Sequence, residues 1–179
     1  MSRALIVSGH LVDTPGRQPP RFPQRLVGRV TEEMKAIFDE WDVGPGTVVV
    51  CGGARGADLI GAGLAQDRGA RVIVCLALPR EEFLRRSVDL PGTDWRARFE
   101  RLTRSAQVEP PPYGTAAGDE VFAEANERMV RLARELDPEP LAVAVWDGRP
   151  GDGPGGTHDL VTRLGYEPGD RRMRVIRTC

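Results

Sequence analysis

Five short apolar runs recur along the chain: "ALIVS" at 4–8, "TVVVC" at 47–51, "RVIVCL" at 71–76, "LAVAVW" at 141–146 and "MRVI" at 173–176. Each is apolar without alternation, the pattern of a strand buried on both faces. The gaps between them carry a different period. Leu26, Val30, Met34, Ile37, Phe38 and Trp41 fall at three- and four-residue steps, and so do Phe122, Ala125, Met129, Leu132, Ala133 and Leu136. Both sets therefore lie on one face of an amphipathic helix. Trp95, Phe99, Leu102 and Ala106 predict another helix, and Ala57 to Arg68 a short one. Strands alternating with helices imply a parallel α/β sheet with helices on both faces, a three-layer Rossmann-like arrangement.

Two segments fit neither period. "GHLVDTPGRQPPRFP" at 9–23 holds four prolines and two arginines, and "VEPPPYGTAAGD" at 108–119 holds three consecutive prolines before a glycine-spaced tail. Both predict loops. The first follows the carboxyl end of a strand, where ligands gather in open α/β sheets, so it is either a lid or an extended edge covering.

Composition narrows the classes. The chain has 179 residues, 40% hydrophobic and 28% charged, which suits one globular domain spanning 1–179 with a well-buried core. It has no apolar stretch of membrane-spanning length and no leader-like amino terminus, which predicts a soluble, cytoplasmic protein without a membrane partner. A formal net charge of −1 argues against strong sequence-independent affinity for nucleic acid. Cys51, Cys75 and Cys179 form no close-spaced metal pattern and predict buried, reduced thiols.

The chemistry concentrates in two glycine-rich turns. "VVVCGGARGAD" at 48–58 runs a buried strand into glycines and then a helix, which leaves the first helical amides without intrahelical partners and suited to an anion. "WDGRPGDGPGGTHDLV" at 146–161 repeats the arrangement after the fourth run, with Thr157 placed to cap the helix or to offer its hydroxyl to a phosphate or ribose. Two such loops facing one crevice would cradle a phosphorylated ligand. Neither has the G-x-G-x-x-G spacing of dinucleotide folds or a Walker lysine.

These residues resemble the SLOG superfamily, which groups the DNA-processing protein A, the lonely-guy cytokinin-releasing enzymes and bacterial nucleotide-sensing domains. "GGARGAD" is similar to its first glycine motif, "NERM" at 126–129 to its asparagine-and-methionine helix motif, and "AVWDG" with "GGTHDLV" to its second loop. "SGH" with "PRFP" resembles a subset from bacterial signalling and defence proteins. The resemblance implies a nucleotide, or a nucleotide derivative, held between the loops. On that basis Gly52, Gly53, Arg55 and Gly56 contact phosphate or its neighbours, with Gly155, Gly156 and Thr157 opposite. Ser8, Gly9, His10 and Asn126 join the site through the same motifs, and Asp147 accepts from ribose hydroxyls. It further implies a homodimer, and a sensor working alone or beside a separately encoded effector, with no cofactor.

The alternative activity is release of the base from a nucleoside 5′-monophosphate by a phosphoribohydrolase of the lonely-guy type. Members with that activity carry P-G-G-x-G-T and a following glutamate. Here the loop reads "PGGTHD", so Asp159, with Asp147 nearby, would have to serve on a shorter arm. A DNA-binding reading is weakened by the near-neutral charge. Asp58, in the first helical turn, reads as a carboxylate satisfying helix amides more readily than as a catalyst. Arg17, Arg21, Arg85 and Arg86 are further phosphate candidates. For Arg85 and Arg86 the competing reading is a solvated helix face paired with Glu81 and Glu82. His10 and His158 could converge near Asp147, yet no metal-ligand spacing supports a metal. Trp95 and Trp146 fit core positions better than base stacking.

Overall fold

The computed structural model describes residues 2–112, 118–151 and 153–178. Six strands form one parallel sheet: β1 (Arg3–Gly9), β2 (Thr47–Cys51), β3 (Arg71–Cys75), β4 (Gln107–Glu109), β5 (Leu141–Trp146) and β6 (Met173–Arg177). Their spatial order is β4-β3-β2-β1-β5-β6. Six helices cover it: α1 (Val27–Glu40), α2 (Ala57–Asp67), α3 (Arg80–Phe83), α4 (Trp95–Thr103), α5 (Glu120–Leu136) and α6 (Thr157–Leu164).

The uninterrupted apolarity of the strands has a direct structural cause. In β1, Leu5 and Val7 pack into the core shared with α1, α2 and α4, while Ala4 and Ile6 pack into the core under α5 and α6. β2 and β3 divide the same way: Val49 and Val72 face the first core, Val48 and Ile73 the second. Alternate side chains point to opposite faces of a sheet, so both faces must be apolar when helices cover both. The expected three-layer α/β architecture is the one observed.

One correction concerns 108–119. Its first two residues belong to β4, a three-residue edge strand that pairs Val108 with Val74 and Glu109 with Cys75. A strand this short, only partly buried, has no apolar run to announce it. Residues 113–117 of that predicted loop lie outside the described residues, as do Asp152 of the second glycine turn and Cys179. Cys51 and Cys75 are buried free thiols.

The chain order reverses between β1 and β5: β2, β3 and β4 run out on one side of β1, and α5 carries the chain back over the other face to β5. In open α/β sheets the crevice beyond the strand ends at such a reversal is where ligands bind. Both glycine turns and the 9–23 segment emerge at that end. No helix among the described residues is long and apolar enough to cross a membrane.

Candidate functional site

A cavity of about 330 Å³ opens at the carboxyl ends of β1 and β2, walled by the 10–23 segment, both glycine turns, the segment after α3 and the first turns of α5. Of the residues expected at the site, Ser8, Gly9, His10, Gly52, Arg55 and Asp58 line it from one side. Asn126, Gly155, Gly156 and Thr157 line it from the other.

The amino end of α6 points into this cavity. Its cap is Gly156, whose carbonyl accepts the first helical bond from the Leu160 amide at 3.2 Å, and no side chain caps it. Thr157 is thus the first helical residue rather than the cap, and its hydroxyl stays available. Gly155 has φ +86°, and a Cβ there would stand 2.3 Å from the Cβ of Phe122, so only glycine lets the turn pass this close to α5. Asn126 fixes the turn from α5. Its Nδ2 donates to the Gly156 carbonyl at 3.1 Å and to Asp159 Oδ2 at 2.9 Å.

The first glycine turn is organised differently. Asp58 turns back so that its carboxylate accepts the Ala54 amide at 3.2 Å, together with the amides of Gly52 and Gly53. The amides expected to hold a ligand's phosphate therefore already hold an internal carboxylate, and they precede the helix rather than belong to it. Burial pushes the Asp58 carboxyl up to about 7, against the pull of those three amides. Gly53 does not line the cavity, and neither does Gly56, where a Cβ would lie 2.6 Å from the His10 carbonyl oxygen. Both glycines serve close packing.

Arg55 is 6% exposed, and its side chain reaches away from the turn. Nε donates to the Val12 carbonyl at 2.8 Å and Nη1 to the Asp89 carbonyl at 3.4 Å, while its own amide donates to the Ser87 carbonyl at 2.9 Å. It contributes positive charge to the wall and also clamps two segments together.

The 10–23 segment is a pinned wall. Phe22 and Val12 are fully buried, and Asp13 Oδ2 accepts the amides of Arg21 at 2.9 Å and Phe22 at 3.0 Å. Burying a phenylalanine side chain is worth roughly 1.5–3 kcal/mol, enough to hold an otherwise irregular segment in place. Arg17 and Arg21 line the cavity from this wall. With Arg55 they set three guanidinium groups against the carboxylates of Asp13 and Asp58.

His10 and Asp147 do meet. His10 Nε2 lies 3.2 Å from Asp147 Oδ1 and 3.2 Å from the Asp147 amide. Burial pulls His10 below its ordinary value, more than the Asp147 contact restores, so the neutral imidazole accepting that amide is favoured. Burial raises the Asp147 carboxyl, yet the Arg149 amide and His10 outweigh it and hold it below the usual carboxylate value. Asp147 stands behind His10, off the cavity wall. His158 is exposed, with its ring centroid 5.9 Å from that of Trp146. No group of three or more metal-ligating side chains occurs among the described residues.

Three further expected residues stand elsewhere. Asp159 is held between Asn126 and the Arg163 Nε at 2.9 Å, off the wall. Arg86 faces solvent, donating to Asp119 at 3.0 Å and lying near Glu82, which is the solvated-face reading. Arg85, beside it, is exposed as well. Trp95 is core, and neither tryptophan lines the cavity. Its aromatic walls are Phe83 and Phe122. Residues not foreseen include Asp13, Phe83 and Ser87. Ser87 follows Arg85 and Arg86 in the chain, so nothing local in the sequence marked it as buried.

No family model matches the chain, and the comparison with curated proteins finds no match.

Proposed function

We propose that the chain binds a nucleotide or nucleotide derivative in this cavity, as a cytoplasmic sensor module acting alone or beside a separately encoded effector. The observation that carries the reading is the pair of hydroxyls at the β1/β5 reversal. Ser8 and Thr157 are 8% and 6% exposed and line the cavity, and neither hydroxyl has a partner among the described residues. As cavity-lining groups with no internal partner among those residues, both hydroxyls are free to donate to or accept from a bound ligand. Beside Thr157 the amides of the first turn of α6, which have no side-chain cap among the described residues, favour negative charge. Phosphate seated there meets two hydroxyls and helix amides.

The order of motifs resembling the SLOG superfamily supports the same reading. Signal transmission requires the ligand to favour one of two conformations. The phosphoribohydrolase alternative has less support, since Asp147 and Asp159 both stand off the wall with their carboxylates engaged. Calorimetric titration with nucleoside mono-, di- and triphosphates, cyclic nucleotides and NAD tests the proposal. Saturable one-to-one binding of at least one class is expected, and no heat from any of them overturns it. Free base released from a monophosphate above a no-enzyme control would establish the hydrolase instead.

A further inference from the structure

The segment after α3 makes a single π-type turn over Leu84–Val88, closed by the Asp89 amide donating to the Leu84 carbonyl at 2.8 Å. Such turns insert one extra residue and recur at functional sites. Here the turn leaves Arg85 and Arg86 exposed and turns Ser87 inward, 4% exposed, onto the cavity. The Ser87 carbonyl is held by the Arg55 amide, but its hydroxyl has no partner among the described residues.

Position gives this hydroxyl a separate task from that of Thr157. The bond to Arg55 sets Ser87 beside the turn that follows β2, whereas Thr157 follows β5, two strand positions away in the sheet. The ends of the two strands that lead to these turns are thus separated by β1. Two aromatic residues line the cavity as well. Phe83 lines it, packed at 6.1 Å on Phe99. Phe122 abuts Gly155 through its backbone and Cβ, while its ring reaches under the Arg86 guanidinium at 5.4 Å, towards the π-type turn. Two rings and one unpaired hydroxyl suit a flat heteroaromatic ring with a polar edge.

Building on the nucleotide reading above, we infer that Ser87 is a specificity-determining residue: its hydroxyl hydrogen-bonds the polar edge of the ligand's base, which lies on the Phe83 side of the cavity while the phosphate sits at α6. The hydroxyl both donates and accepts, so it can read either an exocyclic amine or a carbonyl.

The test titrates wild type, Ser87→Ala and Ser87→Cys with AMP, GMP, CMP and UMP, and with ribose 5-phosphate as the probe that lacks a base. One neutral hydrogen bond is worth about three- to tenfold in affinity. Both variants should lose that factor for the preferred nucleotide, keep the wild-type affinity for ribose 5-phosphate, and melt at or above the wild-type temperature, since the hydroxyl supports nothing in the protein. Equal loss for nucleotide and ribose 5-phosphate, or no loss for either, overturns the assignment of Ser87 and leaves the nucleotide reading standing. A wild type that binds none of the four nucleotides overturns the assignment of Ser87, and the nucleotide reading falls with it only when the wider panel also gives no heat.

Discussion

Arg55 Nε donates to the main-chain carbonyl of Val12 at 2.8 Å, a contact across 43 residues of sequence that fastens the irregular 10–23 segment to the first glycine turn. The same guanidinium reaches the Asp89 carbonyl. One side chain therefore ties together the segment after β1, the turn after β2 and the turn after α3, which are three of the cavity's walls.

Removing it should loosen all three. Hydrogen bonds from a charged group contribute about 1.5–3 kcal/mol, and in a chain of this size each kcal/mol moves the melting temperature by about 2–4 °C. Arg55→Ala is expected to melt roughly 3–12 °C lower and to bind ligand more weakly because its walls are no longer held. Differential scanning calorimetry checks the first effect. An unchanged melting temperature with weakened binding would make Arg55 a ligand contact alone.

This role was not legible in the sequence, and the reason is physical. The neighbours of Arg55 along the chain are glycines and Asp58, so a local reading offers either phosphate or Asp58 as its partner. The true partners are carbonyls brought near by the fold, and carbonyls carry no residue-type signal. Asp58 was half legible: a carboxylate satisfying amides was expected, but the amides are those of Gly52, Gly53 and Ala54 before the helix. By contrast the strands β1, β2, β3 and β5 could be read directly, because burial on both faces forces continuous apolarity; β6 was placed correctly, but as an edge strand it buries only Ile176 and leaves Val175 41% exposed, so its expected burial on both faces does not hold. The two long helices were legible from their period, and the cavity-facing set on the second glycine turn from its glycines.

The Asp58 carboxyl carries a pH signature. Its folded value near 7 lies above the ordinary 3.8, so between about pH 4 and 7 the folded protein keeps a proton that the unfolded chain has released. The contribution of this group is fully present below about pH 4 and is lost as pH rises through 7, on the order of 4 kcal/mol in all. His10, with its lowered value, contributes the opposite slope on the acid side of 6.5. Comparing wild type with Asp58→Asn cancels His10. Wild-type stability minus that of the variant should fall between pH 4.5 and 8 in denaturant titrations; a flat difference would place the Asp58 carboxyl at an ordinary value.

Asn126 tethers the second glycine turn, and Asn126→Ala leaves the Gly156 carbonyl and Asp159 without that donor. The expected cost is about 1–3 kcal/mol of stability, with ligand affinity falling as Gly156 and Thr157 lose their position. Asn126→Asp should be at least as damaging at neutral pH, because it sets a carboxylate against Asp159 Oδ2 and a carbonyl. Urea titration of both variants at pH 7.5 checks the order. An aspartate variant as stable as wild type would contradict the tether.

Gly155→Ala tests the close approach of that turn to α5. With φ at +86° and a Cβ 2.3 Å from that of Phe122, the backbone must move. A loss of at least about 1–2 kcal/mol from the backbone conformation alone is expected, and ligand binding should fall with it. Full stability in chemical denaturation would show that the turn tolerates a side chain.

The central claim is that the cavity between the 10–23 wall and the amino end of α6 seats the phosphate of a nucleotide. The measurement that bears on it most directly is isothermal titration of wild type and Thr157→Val with the best-bound nucleotide of the panel. Valine keeps the shape of threonine and removes only the hydroxyl. Because that hydroxyl has no partner among the described residues, the variant should melt within about 1 °C of wild type. A hydrogen bond to a charged phosphate contributes about 1.5–3 kcal/mol, so its affinity should be about 10- to 150-fold weaker. Unchanged affinity in a folded Thr157→Val protein, or a wild type that binds no nucleotide, would contradict the account.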